Sequence, residues 1–241
     1  MLRVPVAQLV RGEMTLDTET SRYVARVHRL QIGDVVALFD PENALEATGT
    51  ITVVDKSSVR VAVADVHAAV VRATRPVTLV QAIGKGDKID AIVRDATELG
   101  ATRIIIAETT RSVVRLGDRA NERLLRWRRI AVQAARQCGR GDAPDVIGPL
   151  PWQEALRDAA QPPGLALCLW ERATNPIGPK LRDLAAATPL AVAVGAEGGF
   201  EPGEIAVAEA EGFIPVSLGP FILRTETVPA AVLGAALLSA T

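Results

Sequence analysis

From Pro76 onward the chain alternates short apolar runs with stretches whose apolar residues recur at helical spacing, and few architectures accept that rhythm. "PVTLVQAI" (76–83), "RIIIA" (103–107), "ALCLW" (166–170), "LAVAV" (190–194) and "IPVSL" (214–218) are mostly continuous apolar segments, as expected of strands buried on both faces. Between the first two, "GDKIDAIVRDATELG" puts Ile89, Ile92, Val93, Ala96 and Leu99 on one helix face. Asp87 is its expected N-cap and Gly100 its stop. Further helices are predicted over about 118–138, 178–187, 203–211 and 228–240. Strands alternating with helices predict an α/β fold with a mostly parallel sheet covered on both faces.

Residues 1–72 follow a different pattern. "DVVALFD", "ATGTITVVD" and "SVRVAVADV" are β-rich pieces separated by Gly33-Asp34 and Pro41-Glu42-Asn43, with "RLQIGD" (29–34) as the turn before a strand. They predict a small β-barrel or sandwich. The boundary falls in "VVRATRP" (70–76), which gives two domains, 1–72 and 73–241. Of the 241 residues 49% are apolar, ample material for two cores. No apolar run approaches the ~20 residues of a membrane span. The opening segment, broken by Arg11, Glu13 and Asp17, does not read as a signal peptide. Cys138 and Cys168 are expected to be free thiols in a reducing cytoplasm.

A formal net charge of -1 conceals polarity along the chain. Residues 103–140 hold ten arginines against Glu108, Asp118 and Glu122, whereas 141–241 hold five basic and twelve acidic side chains. On the helix 118–138, Leu124, Trp127, Ala131, Ala134, Ala135 and Cys138 share one face, and Arg126, Arg129, Gln133 and Arg136 another. The second face, with no acidic residue after Glu122 on the helix, suits phosphate and base contacts. A solvated helix face is the alternative. The helix ends in "RQCGRGD", where Gly139 and Gly141 free the backbone around Arg140.

Among motifs, "AIGKGDKI" (82–89) opens like a dinucleotide fingerprint, but Ile89 stands where the third glycine belongs, so it reads as a plain strand-to-helix turn. No Walker motif, G-x-S-x-G or clustered metal spacing is present, and His28 and His67 are isolated. Metal-dependent hydrolysis and Ser- or Cys-based acyl transfer find no support. In "AVAVGAEGGFEPGE" (191–204) a buried strand ends in Gly195, Glu197, Gly198 and Gly199, which lets either a ligand approach the main chain or the chain simply turn. In "LGPFILRTETVPAA" (218–231) another strand end leads into Arg224, Thr225, Glu226 and Thr227 between apolar flanks. Two irregular loops leaving one sheet edge face a common crevice.

Together, "VGAEGGF", "SLG" with "ILRTET", "KGD", "ATELG" and "QCGR" after a Trp-bearing helix resemble the RsmE family, ribosomal RNA methyltransferases of the SPOUT superfamily. The resemblance runs essentially end to end. It implies an N-terminal PUA-like β-barrel that binds RNA and a SPOUT domain whose C-terminal segment threads a trefoil knot. It also implies a cytoplasmic homodimer that uses S-adenosyl-L-methionine to methylate N3 of one uridine in 16S rRNA of the small subunit. Carried over, the cofactor site comprises Leu169, Trp170, Val194, Gly195, Glu197, Gly199, Leu218, Gly219, Ile222, Leu223 and Thr225. The family usually shows Pro at Ala196, Arg at Phe221 and Ala at Val228, so this chain lacks a positive charge at 221.

Uracil N3 carries a proton at neutral pH, so a site must remove it or stabilise the developing anion. Arg224 is assigned to the uracil and Glu226 to orienting Arg224 or accepting a hydrogen bond; the alternative for this pair is a structural or interface ion pair. Arg126, Arg129, Arg136 and Arg140, with Arg3, Arg11, Arg22 and Arg26, are assigned to RNA phosphates. Two other functions share the scaffold: a non-catalytic RNA-binding or ribosome-assembly protein, and a transfer-RNA methyltransferase.

Overall fold

A computed structural model describes residues 1–55, 58–112 and 117–239. Arg115 of the arginine-rich stretch and Ala240 of the predicted final helix lie outside the described residues. The chain divides into two compact units, Met1–Arg72 with Ala135–Ala143, and Ala73–Ala134 with Pro144–Thr241.

The first unit holds strands β1 (Leu2–Pro5), β2 (Gly12–Thr15), β3 (Val35–Asp40), β4 (Leu45–Val54), β5 (Val59–Val63) and β6 (His67–Ala68). They form one sheet in the order β1-β3-β4-β5-β2, with β6 on β4. β1 runs parallel to β3 and the other pairs are antiparallel. In β5, Val59, Val61 and Val63 are buried while Arg60 and Ala62 face out, the period-2 pattern of a half-buried strand. Helix α1 (Thr18–Arg22) starts at Asp17, whose carboxylate accepts from Thr20 N–H at 2.8 Å.

The second unit is a six-stranded sheet of β7 (Val77–Ala82), β8 (Arg103–Glu108), β9 (Asp145–Pro151), β10 (Leu165–Leu169), β11 (Leu190–Val194) and β12 (Ile214–Val216). Its order is β12-β10-β11-β7-β8-β9, and every pairing is parallel. The helices are α2 (Lys88–Glu98), α3 (Ala120–Cys138), α4 (Trp152–Ala159), α5 (Ile177–Arg182), α6 (Pro202–Ala210) and α7 (Thr227–Leu238). Alternate residues of each strand face opposite cores. Leu79, Ile104, Leu167 and Val192 pack with α2, α3, α5 and α7. Val80, Ile105, Cys168 and Ala193 pack with α4 and α6. Both faces are therefore covered, which is why β7 and β11 are buried at every residue.

Several expectations need correction. β9 and α4 are absent from the sequence reading. Gly148, Pro149 and Pro151 disguise β9, an edge strand that pairs with β8 alone, where missing N–H groups are tolerated. α4 carries a plain signal, with Trp152, Ala155, Leu156 and Ala159 buried at i, i+3, i+4 and i+7. Asp87 stands at the N-cap of α2 but makes no capping bond; its carboxylate faces Arg123 at 3.4 Å. Cys138, expected on the buried face of α3, is exposed, whereas Trp127, Ala131, Ala134 and Ala135 are buried. α5 ends at Arg182 instead of reaching 187. The carbonyls of Ala185 and Ala186 accept from Arg75 at 3.2 and 2.9 Å instead of continuing the helix. Arg75 also reaches the Ala236 carbonyl in α7 at 3.4 Å.

Candidate active site

Because all six strands run the same way, their carboxyl ends lie along one edge, and the loops leaving them enclose a cavity of about 480 Å³. β10 contributes Leu169, Trp170 and Glu171, and β11 contributes Val194 to Gly199. The long connection from β12 contributes Ser217 to Glu226, and α2 adds Lys88 in its first turn. Every residue assigned from sequence to the cofactor or to catalysis lines this one cavity: Leu169, Trp170, Val194, Gly195, Glu197, Gly199, Leu218, Gly219, Ile222, Leu223, Arg224, Thr225 and Glu226.

The loops hold their shape through the main chain. Gly199 has φ +67, a conformation that side chains disfavour, and a Cβ on Gly195 would lie 3.2 Å from the Gly199 carbonyl carbon. The Gly195 carbonyl accepts from Thr225 Oγ1 at 2.6 Å and from Gln81 Nε2 at 3.3 Å. Gln81 also donates to Thr225 Oγ1 at 3.3 Å and to the Ala82 carbonyl at 3.0 Å. A fully buried amide on β7 thus ties the loop after β12 to the end of β11. Arg111 braces the same turn from outside, donating to the Gly198 carbonyl at 2.5 Å.

A three-carboxylate, two-cation arrangement sets the electrostatics. Lys88 Nζ lies 3.1 Å from Glu197 Oε1 and 3.4 Å from Glu226 Oε2. Glu197 also accepts from the Lys85 N–H at 3.0 Å. Burial alone would raise the Glu197 carboxyl, but main-chain N–H groups and the Lys88 ammonium outweigh it and hold it below the usual carboxylate range. The Lys88 ammonium is pushed up, chiefly by its hydrogen bond to Glu197. Glu171 lies against Gly199. Arg224 is exposed on the cavity wall and its guanidinium has no hydrogen bond or ion pair among the described residues.

The pH dependence follows by linkage. A depressed carboxyl stabilises the fold above its unfolded pKa, and that contribution is lost as pH falls through the lower folded value. The raised Lys88 contributes fully below its unfolded pKa and loses its contribution only as pH rises through the higher folded value. The unfolding temperature of the parent should therefore exceed that of Glu197→Gln at about pH 7, and the difference should shrink toward about pH 3. Thermal melts across that range check it; a pH-independent difference contradicts the assignment.

The pairing of Glu226 corrects one expectation, since the carboxylate meets Lys88 and not Arg224. Lys88, Gln81 and Glu171 are site residues missed in sequence. Gln81 was signalled by an amide inside a continuously apolar strand, and Lys88 by its place beside the "KGD" turn. Cys168, buried in the sheet, has a thiol pushed up to about 12, chiefly by burial, and is inert.

The arginines assigned to RNA fare unevenly. Arg140 is buried and forks onto Asp142 at 2.7 and 3.1 Å. Arg3 pairs with Glu46 at 2.7 Å and donates to the Arg140 carbonyl. Arg126 engages Asp90 of α2 through Nε at 2.8 Å, a partner invisible within α3 itself. Arg136 lies 4.7 Å above the Tyr23 ring. Arg11 meets Asp65 at 3.5 Å on the surface. Arg22, Arg26 and Arg129 are exposed, and Arg22 and Arg129 make no ion pair among the described residues.

A cofactor-sized cavity at the carboxyl edge of a parallel sheet, beside an arginine unpaired among the described residues, defines a class. Residues 72–237 match the family model of an RNA methyltransferase domain, and residues 16–64 match an RNA methyltransferase PUA domain. Ribosomal RNA small subunit methyltransferase E of Synechocystis is 34% identical over 236 residues, covering 95% of this chain and 74% of its own length. The crystal structure of ribosomal RNA small subunit methyltransferase E from Neisseria gonorrhoeae, bound to S-adenosyl methionine, superposes with a TM-score of 0.86 at 29% identity. It covers 98% of this chain and 96% of that one. A Legionella pneumophila structure with the bound cofactor SAM gives a TM-score of 0.88 at 29% identity over 99% and 97%. The chain belongs to the ribosomal RNA small subunit methyltransferase E family.

Proposed function

We propose that this protein transfers a methyl group from S-adenosyl-L-methionine to N3 of a specific uridine in 16S rRNA of the small ribosomal subunit. The observation that carries the reading is the cavity walled by the ends of β10 and β11 and the loop after β12, with Arg224 at its side unpaired among the described residues. The cavity volume falls in the range of small-molecule sites. Three carboxylates, Glu171, Glu197 and Glu226, line a site meant for a ligand carrying a sulfonium and an ammonium. When bound, that cofactor supplies an electrophilic methyl on sulfur. Val194, Gly195 and Gly199, with Leu218, Gly219, Ile222 and Leu223, hold it through apolar walls and main-chain groups. Arg224 stabilises charge on the uracil carbonyl oxygens as N3 attacks.

The same reading extends to the rest of the chain. Residues 1–72 form a PUA-like barrel that binds RNA, and 73–241 form a SPOUT domain in which the segment delivering α7 completes a trefoil knot. Arg22, Arg26, Arg129 and Arg136 remain the best-placed phosphate contacts, while Arg3, Arg126 and Arg140 act through the ion pairs that hold their own elements. α7 is apolar nearly all round, with Leu238 75% exposed and Ala231 and Ala235 outward; this supports a homodimer in which a second copy covers the face. No described helix is long and apolar enough to cross a membrane, and the proposed substrate places the enzyme in the cytoplasm.

Calorimetry with S-adenosylmethionine and mass spectrometry of nucleosides from treated RNA test the proposal together. Donor binding and one new N3-methyluridine in small-subunit RNA are expected. Absence of donor uptake points to a pure RNA binder, and methyl groups on transfer RNA or on ribose sink the substrate assignment.

A further inference from the structure

The proposed reaction leaves the proton on uracil N3 without an acceptor. We infer that Glu226 takes it and that Lys88 is the residue that positions Glu226; this rests on the methyl-transfer reading above. Glu226 occupies the N-cap of α7, where an acceptor side chain ordinarily bonds the first N–H groups of the helix. It makes no such bond. Its Oε2 instead turns inward toward Lys88 Nζ at 3.4 Å, while the rest of the side chain, 27% exposed, lies on the wall of the cavity. Lys88 is anchored in turn by Glu197, and Glu197 by the Lys85 N–H. Gly84 lets this anchor close, since a Cβ there would lie 3.3 Å from both Glu197 carboxylate oxygens.

The charged groups around Glu226 are Lys88 from α2, Glu197 from the turn after β11, Glu171 from the loop after β10, and Arg224 two residues earlier. Glu197 is occupied by Lys85 and Lys88, and Glu171 has Arg172 at 3.9 Å. Glu226 is the carboxylate on the same segment as Arg224, two residues beyond the group assigned to the uracil. In the step itself the N3–methyl bond forms while the sulfur–methyl bond breaks, its electron pair passing to sulfur. The N3 proton passes to the Glu226 carboxylate and from there to water. Sulfonium, neutral uracil and carboxylate thereby become thioether, neutral methyluracil and carboxylic acid, so charge balances. A carboxylate is a weak base toward N3–H, so the proton leaves as the attack proceeds, with Arg224 making N3–H more acidic by stabilising the anion on the carbonyl oxygens.

The test uses the full-length protein with small ribosomal subunits from cells lacking this methylation and saturating S-adenosylmethionine. Glu226→Gln should lower kcat about 100-fold and flatten the acid side of the pH–rate profile. Calorimetric affinity for S-adenosylhomocysteine should stay within about threefold of the parent. Lys88→Met should lower kcat about tenfold with product affinity kept near the parent's, and Lys88→Arg should restore kcat. If Glu226→Gln unfolds, Glu226→Asp carries the test: reduced kcat with the acid side retained supports the inference, and parent activity overturns it. Parent-like kcat and pH profile in Glu226→Gln overturn it, as does loss of product affinity in parallel with kcat, which assigns a structural role. A parent protein unable to methylate the subunits overturns the methyl-transfer reading itself, before any variant is made.

Discussion

Arg224→Ala should lower kcat for methylation of small ribosomal subunits by about 1000-fold, the scale of a lost oxyanion donor, with donor affinity little changed. The guanidinium sits on the cavity wall with no partner among the described residues, so nothing in the fold consumes its five N–H donors. A buried arginine engaged by carbonyls, as Arg75 is, has a structural task; Arg224 has none visible. Deprotonated uracil spreads its charge over N3 and the two flanking carbonyl oxygens, and a guanidinium can donate two N–H groups to one of those oxygens while leaving N3 open to the methyl. Arg224→Lys should therefore recover only part of the loss, because a point charge lacks the fork. Single-turnover rates with saturating donor check this. Parent kcat in Arg224→Ala would assign the residue to RNA docking, where the salt dependence of KM moves instead.

Much of this site was legible because two residue types cannot hide. Glycines at the end of an apolar strand, as at Gly195 and Gly199, announce a bend that ordinary side chains resist, and a polar cluster between apolar flanks, as at 224–227, announces partners. What sequence hid was pairing between elements. Arg126 looks free when α3 is read alone and is engaged by Asp90 once α2 packs beside it. Arg140 looks like an exposed tip after a glycine, yet it is buried against Asp142. The partner of Glu226 was sought two residues away and lies on another helix, Lys88, because the cavity is closed by segments distant in sequence. The parallel sheet itself was readable from its continuous apolar runs. β9 was not, because an edge strand tolerates the prolines and glycine that elsewhere argue against a strand.

The same logic makes Gly195 the position where one added side chain should do the most harm to donor binding. Gly195→Leu should weaken S-adenosylmethionine at least ~1000-fold, about 4 kcal/mol. Even the first carbon of that side chain would stand 3.2 Å from the Gly199 main chain and 3.5 Å from the Phe200 ring. Phe200 is buried in the core beneath α4 and α6 and cannot retreat, so the 196–199 turn must move. That turn is a wall of the cavity, and the Gly195 carbonyl is the anchor for Thr225 and Gln81. Displacing it therefore loosens the loop after β12 as well, and two walls shift for one substitution. Gly195→Ala separates this from general misfolding. Its single carbon asks the turn to give by a few tenths of an ångström, a cost of about 1–2 kcal/mol, so roughly tenfold weaker donor binding is expected in a protein that still folds. Calorimetry on both variants, with thermal melts to verify folding, reads the gradation. Parent affinity in a folded Gly195→Leu protein would mean that the donor lies elsewhere, and the assignment of both loops to it would fall with that result.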